Sequence, residues 1–97
     1  MGIEDNETKI DYSDVFLRYM LTLQSGAKIA LGEIKDPQFD EFKTNYKEAR
    51  EIINILGMIS QKTQGNLNKY ETDILDNILS SLRFSYVKKI NEDKNDE

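Results

Sequence analysis

The chain has 97 residues, a formal net charge of −5, and no cysteine, histidine or tryptophan. This length supports one domain at most. Without cysteine there are no disulfide bonds, no thiolate nucleophile and no thiolate metal site, and without histidine the commonest general base is missing. The composition therefore predicts a protein that is not an enzyme, and no pattern in it indicates a metal or another cofactor.

The acidity is concentrated at the two ends of the chain. Residues 1–11 carry four acidic side chains against one lysine, and so do residues 91–97. Segments this polar favour disorder, so we predict two acidic tails around a single helical domain at residues 12–90. The acidic start has no apolar signal-peptide core, and no apolar run is long enough to span a bilayer. These features predict a cytoplasmic protein without membrane contact.

The first helix is predicted at about residues 13–31. Asp11 or Ser13 can cap its exposed N–H groups with a side-chain oxygen. Gly32 suits the left-handed position that ends a helix. A patch of small side chains at residues 26–30 would let another helix approach closely, which compensates for the cost of a glycine inside a helix.

The aspartate and proline at positions 36 and 37 mark the clearest break in the chain. Phe39 and Phe42 continue a helical spacing after it, which leaves two interpretations: one helix through the segment, or a short helical turn at 38–43 before the next helix. We prefer the short turn, because Asn45 followed by glutamate three residues later is a capping-box pattern.

The second helix, predicted at residues 46–63, contains the most apolar run in the protein, residues 52–59. Apolar side chains cover roughly 240° of this helix, whereas a surface helix shows a stripe only a little wider than 100°. Such a helix needs apolar partners on two or more sides, from its own chain or from a second one. Gly57, within this run, predicts a close helix crossing.

The third helix is predicted at residues 69–89. Asn68 followed by Glu71 is a second capping-box pattern, and Gly65 ends the preceding helix. A connection this short forces the second and third helices into an antiparallel hairpin. Because no sustained period-two alternation occurs, the predicted fold is an all-α three-helix bundle, completed by dimerisation.

Two turn sequences carry a family resemblance. They are Leu31-Gly32-Glu33-Ile34 and Lys62-Thr63-Gln64-Gly65-Asn66-Leu67. Four further segments accompany these turns in chain order: Asp36-Pro37, Asn45-Tyr46-Lys47-Glu48-Ala49, Leu56-Gly57-Met58 and Leu82-Arg83-Phe84-Ser85-Tyr86-Val87. With these segments, the chain resembles the small bacterial family catalogued as domain of unknown function 1844. The resemblance covers roughly residues 14 to 88. It departs between Pro37 and Asn45, where phenylalanines replace a more polar loop.

This resemblance implies a compact, intracellular bacterial helical protein, and brings no activity, cofactor or catalytic residue with it. It draws attention to two polar turn residues, Glu33 and Asn66. We expect both to satisfy backbone groups at helix ends. A shared binding site is the alternative, and it would require the two turns to lie close together.

The pattern favours a non-catalytic interaction or scaffold protein that acts as a homo-oligomer, since two-fold dimers are the commonest way to bury surplus apolar surface. A different, unidentified protein partner would also fit. The candidate interface consists of apolar side chains outside the main stripes or on the broad face of the second helix: Leu17, Leu21, Ile55, Met58, Phe84 and Val87.

Two alternatives belong to other functional classes. A helical bundle could hold an apolar small molecule between its helices, using the isoleucines, Met20, Met58 and the small patch at residues 26–30. A weaker alternative is an RNA- or ribosome-associated factor that binds through Arg83, Lys88 and Lys89. The acidic tail that follows makes nucleic acid an unlikely partner, since a concentrated basic patch would be needed.

Overall fold

The computed structural model describes residues 9–95, which form three α-helices. They are α1 (Tyr12–Ala30), α2 (Tyr46–Lys62) and α3 (Lys69–Asn95). The all-α three-helix prediction is confirmed, and each helix begins within one residue of its predicted start. Residues 1–8 and 96–97, parts of the two predicted tails, lie outside the described residues.

Each helix begins with a side chain that satisfies exposed backbone N–H groups. The Asp11 carboxylate caps α1 and the Asn45 amide oxygen caps α2. Asn68 and Glu71 cap α3 reciprocally, through backbone-to-side-chain hydrogen bonds of 2.9 and 2.8 Å. Hydrogen bonds from the Ser13 hydroxyl and the Asn68 N–H hold the pKa of Glu71 below its usual value. The starts of α1 and α3 thus lie near each other, and these two helices run parallel because each is antiparallel to α2.

α1 ends in a Schellman motif at Gly32. The N–H of Gly32 donates to the carbonyl of Ile29 at 3.0 Å, and that of Glu33 donates to Lys28 at 2.9 Å. Gly32 has a φ of +79°, a left-handed conformation that glycine adopts without steric cost. A Cβ at this position would stand 2.8 Å from the Thr44 hydroxyl oxygen, so both conformation and space favour glycine.

The connection between α1 and α2 is a hairpin-like loop. Isolated antiparallel bridges pair Leu31 with Thr44 and Asp36 with Glu41. At its tip the N–H of Asp40 donates to the Asp36 carbonyl at 2.7 Å, which makes a single α-turn.

The short helical turn predicted at 38–43 is therefore replaced by an α-turn over residues 36–40 that does not continue as helix. Asp40 has a φ of +53°, which interrupts right-handed helical geometry immediately. Phe39 and Phe42 are 51% and 60% exposed. Their helical spacing is accordingly not a sign of a buried helical face.

The core lies where α2 contacts both other helices. Ala49, Leu56 and Ala27 have no exposed surface. The whole buried apolar set is Met20, Ala27, Ala30, Leu31, Ala49, Ile53, Leu56, Leu75, Ile78, Leu79 and Leu82. Gly26 of α1 allows a close approach as predicted, because a Cβ there would stand 3.4 Å from Cδ1 of Ile52.

Gly57 of α2 leaves space for the long side chain of Arg83 from α3. A Cβ at Gly57 would stand 3.2 Å from Nη2 of Arg83. The crossing expected at this glycine is thus a contact between the α2 backbone and a guanidinium group of α3. The absence of a side chain at Gly57 makes room for that group.

α3 continues six residues beyond its predicted end at residue 89. The sequence predicts a disordered tail from residue 91, whereas the helix includes residues 91–95. The Tyr46 hydroxyl of α2 bonds to the Asp93 carboxylate and lies 3.4 Å from the Lys89 carbonyl oxygen. This contact with α2 holds the added turns as helix.

Candidate interaction surface

Five of the six side chains predicted to form an interface are exposed. The exposed fractions are 49% for Leu21, 38% for Ile55, 48% for Met58, 69% for Phe84 and 55% for Val87. Leu17 is half-buried. The six residues are not gathered on one face, because the packing of the helices divides them into three pairs.

Ile55 and Met58 lie on the side of α2 that adjoins α1. Ile52 packs against Gly26 of α1, and Ile55 lies on the outer side of Ile52, about 60° away around the helix at about 100° per residue. On α1, Val15 and Tyr19 are in line with Gly26 and are 45% and 54% exposed. These four exposed side chains, with half-buried Ile52, form what we call the α1–α2 face.

Leu17 and Leu21 lie on the opposite flank of α1. Leu17 is one helical turn after Ser13, whose hydroxyl lies near Glu71 of α3 and lowers its pKa, and Leu21 is one turn further on. This pair therefore adjoins α3, away from the α1–α2 face.

Phe84 and Val87 point away from the bundle. Phe84 follows Leu82 by two positions, which is about 200° around the helix, and Leu82 is 1% exposed. Val87 is one turn after Phe84. The pair therefore occupies the outer surface of α3.

The loop between α1 and α2 adds an apolar patch that the helical patterns did not indicate. Besides Phe39 and Phe42, Ile34 is 41% exposed. The Lys43 ammonium lies 4.2 Å from the ring centroid of Phe39, and the Lys35 ammonium lies 6.0 Å from that of Phe42. These cation–π contacts cover part of the exposed aromatic surface within the chain itself.

Glu33 and Asn66 lie at opposite ends of the bundle. Glu33 follows α1 and Asn66 follows α2, which runs antiparallel to α1. Both contribute main-chain N–H groups at helix ends. The N–H of Glu33 donates to the Lys28 carbonyl, and the N–H of Asn66 donates to the Thr63 carbonyl, each at 2.9 Å. Main-chain atoms thus satisfy these backbone groups at both turns, and the roles expected of the Glu33 and Asn66 side chains stay predictions. One protomer does not combine the two residues in a single site.

A pocket of about 170 Å³ lies beside the turn between α2 and α3. Its lining consists of Ser60, Thr63, Gln64, Gly65, Leu67, Thr72, Leu75 and Asp76. Hydroxyl, amide and carboxylate groups predominate, so this pocket does not suit an apolar ligand. The side chains considered for such a ligand are used elsewhere: Met20, Ala27 and Ala30 are at most 3% exposed in the core.

The three basic residues near the end of α3 do not form one patch. At about 100° per residue, Arg83, Lys88 and Lys89 point in three different directions around the helix. The Arg83 guanidinium is already directed towards Gly57. These three residues thus do not form the concentrated basic surface that binds nucleic acid.

The described residues contain neither a cluster of metal-ligating side chains nor a membrane-spanning helix. No group of three or more acidic side chains among them could hold a metal ion. Within residues 9–95, no helix combines the length and apolar character needed to cross a membrane. Helix capping lowers the pKa of Glu71, and the contact between α2 and α3 raises the pKa of Tyr46.

The chain is similar to a known family over most of its length. The model of a family described as a domain of unknown function, DUF1844, matches residues 14–88. No curated protein and no solved structure matches the chain.

Proposed function

The chain thus belongs to the DUF1844 family, and we propose that it is a non-catalytic interaction protein that acts as a homo-oligomer in the cytoplasm. The single observation that carries this proposal is the incomplete burial of α2. This helix packs against α1 and α3, yet Ile55 and Met58 remain 38% and 48% exposed.

α2 therefore presents apolar side chains on a third side, beyond those packed against α1 and α3, as expected of a helix that contributes to an interface. Exposed contiguous apolar surface on a small protein marks interaction sites, and closed two-fold dimers are the commonest arrangement that covers it. Val15 and Tyr19 enlarge the same surface on α1, so the apolar area is shared by two helices.

The non-catalytic part of the proposal is supported by the roles of the titratable groups. A shifted pKa often marks a catalytic group, but Glu71 caps α3 and Tyr46 joins α2 to α3. The cysteine-free sequence favours a reducing compartment, in agreement with the cytoplasm.

Light scattering on a sizing column, across a dilution series, tests the proposal. We expect the mass to rise from one chain of 11.3 kDa towards two chains as the concentration increases. A constant single-chain mass up to millimolar concentration would rule out the homo-oligomer. Association of a higher order would require at least two of the three apolar pairs.

A further inference from the structure

The exposed side of α2 carries a short stripe with a charge at each end. Glu51, Ile55, Met58 and Lys62 follow one another at spacings of four, three and four residues, so they share one side of the helix. All four are exposed. We call these residues the α2 stripe.

The order of spacings in the α2 stripe is the same in both directions. Two copies of α2 packed antiparallel about a two-fold axis, midway between Ile55 and Met58, would therefore align. Ile55 of each copy would meet Met58 of the other, and Glu51 of each copy would meet Lys62 of the other. A parallel arrangement would instead place Glu51 of one copy against Glu51 of the other, and Lys62 against Lys62.

We propose that the partner of the α1–α2 face is a second copy of this chain, with the two α2 helices packed antiparallel through the α2 stripe. This inference rests on the proposed homo-oligomer and specifies its interface. Neither Glu51 nor Lys62 takes part in an ion pair observed between described residues. Both charges are thus available to a partner.

The size of the surface sets the expected affinity. The 17 residues of α2 make a helix about 25 Å long at about 1.5 Å per residue. Together with the flank of α1, about 10 Å away, the face measures on the order of 500 Å² per copy. Burial of about 1,000 Å² in total is at the lower limit of specific interfaces, so we expect a dissociation constant on the order of micromolar.

The other apolar pairs lack this complementarity. Beside Leu17, the Asp14 carboxylate is already paired with Arg18 at 3.2 Å. Beside Phe84 and Val87 lies Lys88, with no acidic side chain between residues 77 and 91. Two copies brought together through Phe84 would therefore bring lysines together. Only the α2 stripe combines apolar contact with unpaired charges of both signs.

Charge reversal provides the first test. In a two-fold dimer, Glu51→Lys would create two lysine–lysine contacts and Lys62→Glu would create two glutamate–glutamate contacts. We expect each single variant to weaken dimerisation by about tenfold, measured by analytical ultracentrifugation at low salt. The double variant Glu51→Lys/Lys62→Glu restores both pairs and should regain the affinity of the unaltered chain.

Mixing the two single variants gives a sharper result. An equimolar mixture of the Glu51→Lys and Lys62→Glu chains can form a mixed dimer in which both contacts join opposite charges. We expect this mixed dimer to form at concentrations at which each variant alone is monomeric. In 1 M salt, where the Debye length is about 3 Å, the differences between variants should largely disappear.

A matched control is available on another face. Phe84→Glu alters a side chain that is more exposed than Met58, and it should leave dimerisation unchanged. Met58→Glu should abolish it. Circular dichroism and thermal melting of every variant separate loss of association from loss of folding, because all these positions are exposed.

The outcomes distinguish the inference from the proposed function. One result would overturn the antiparallel α2 arrangement and leave the homo-oligomer in place. In that result, the charge variants at positions 51 and 62 would not change the dimerisation affinity, whereas Phe84→Glu or Leu21→Glu would dissociate the dimer. A monomer at all concentrations would overturn both. Single variants that weaken the dimer, with recovery in the double variant, would support both.

Discussion

The Tyr46 hydroxyl donates a hydrogen bond to the Asp93 carboxylate, which joins the first turn of α2 to the last turns of α3. The Tyr46 ring also meets the Tyr86 ring edge-on, with centroids 6.3 Å apart and an interplanar angle of 89°. One tyrosine thus supplies both a polar and an aromatic contact at this end of the bundle.

Tyr46→Phe should destabilise the protein by about 1 kcal/mol, because it removes the hydroxyl and keeps the ring. We expect amide hydrogen exchange to become faster in residues 90–95 than elsewhere in α3. Tyr70→Phe is the matched control, since Tyr70 is 66% exposed, and it should change stability by less than about 0.5 kcal/mol. Equal effects of the two variants would contradict the assigned role of Tyr46.

Tyr46 also predicts a change of stability in alkali. The hydrogen bond to Asp93, partial burial and the negative charges of Asp93 and Glu92 raise the pKa of Tyr46 to about 12. The folded chain therefore holds this proton more tightly than the unfolded chain, whose tyrosine pKa is about 10. The resulting stabilisation is complete below about pH 10 and is lost as the pH rises towards about 12.

Tyrosinate absorbance measures this directly. We expect the titration to include a step at about pH 12, the pKa of Tyr46, and Tyr46→Phe should remove that step. A titration without such a step would show that the Asp93 contact does not persist in solution.

Asn68→Ala should cost about 1 kcal/mol of unfolding free energy, since it removes the side-chain oxygen that caps α3. The backbone N–H of Glu71 would lose its 2.8 Å acceptor. Asn66→Ala is the control in the same turn, because Asn66 contributes its main-chain N–H to the turn. Urea denaturation of both variants would measure the difference, and comparable losses would assign a structural role to the Asn66 side chain.

Gly32→Ala should destabilise the protein more than Gly65→Ala. Both glycines have a positive φ, +79° and +84°, so each substitution carries a left-handed strain of about 1 kcal/mol. Only at Gly32 would the new Cβ also clash, 2.8 Å from the Thr44 hydroxyl oxygen, whereas nothing lies within 4 Å at Gly65. Thermal melts of the two variants in parallel isolate the steric part, and equal losses would argue against it.

Gly57→Ala should stabilise α2 by up to about 1 kcal/mol, the difference in helix propensity between the two residues. The new Cβ would approach only the end of the flexible Arg83 side chain, at 3.2 Å, and that end can move aside. Chemical denaturation measures the effect. A destabilised variant would instead mean that the Arg83 guanidinium is fixed across α2.

The starts of the three helices and the end of α1 could be predicted from the sequence because their signals are local. The end of α3 could not, because the contact that extends it joins Tyr46 to Asp93, 47 residues away. Asn68 with Glu71 satisfies two backbone N–H groups within one turn, and Gly32 provides a conformation that few other residues adopt. Such interactions depend on residues three or four apart, which a sequence displays directly. The pattern at Phe39 and Phe42 failed because helical spacing alone does not reveal that Asp36 and Glu41 pair across the loop.

The candidate interface shows the limit of the same reasoning. The sequence identifies Ile55, Met58, Leu21 and Phe84 as surplus apolar side chains, and their exposure agrees with that description. It does not say which flank of each helix faces which neighbour, since that depends on tertiary packing. Val15 and Tyr19 are therefore missing from the predicted interface, although they are about half exposed.

The direction of the helices has a consequence for the order of folding. α1 and α2 are an antiparallel pair joined by residues 31–45, and α2 and α3 are an antiparallel pair joined by residues 63–68. The parallel contact between α1 and α3 encloses both connections and the whole of α2. The entropy of loop closure grows with the length of chain enclosed, and contacts between distant residues form slowly. We therefore expect each hairpin, which encloses a shorter length of chain, to form before the contact between α1 and α3 that includes Ser13 and Glu71.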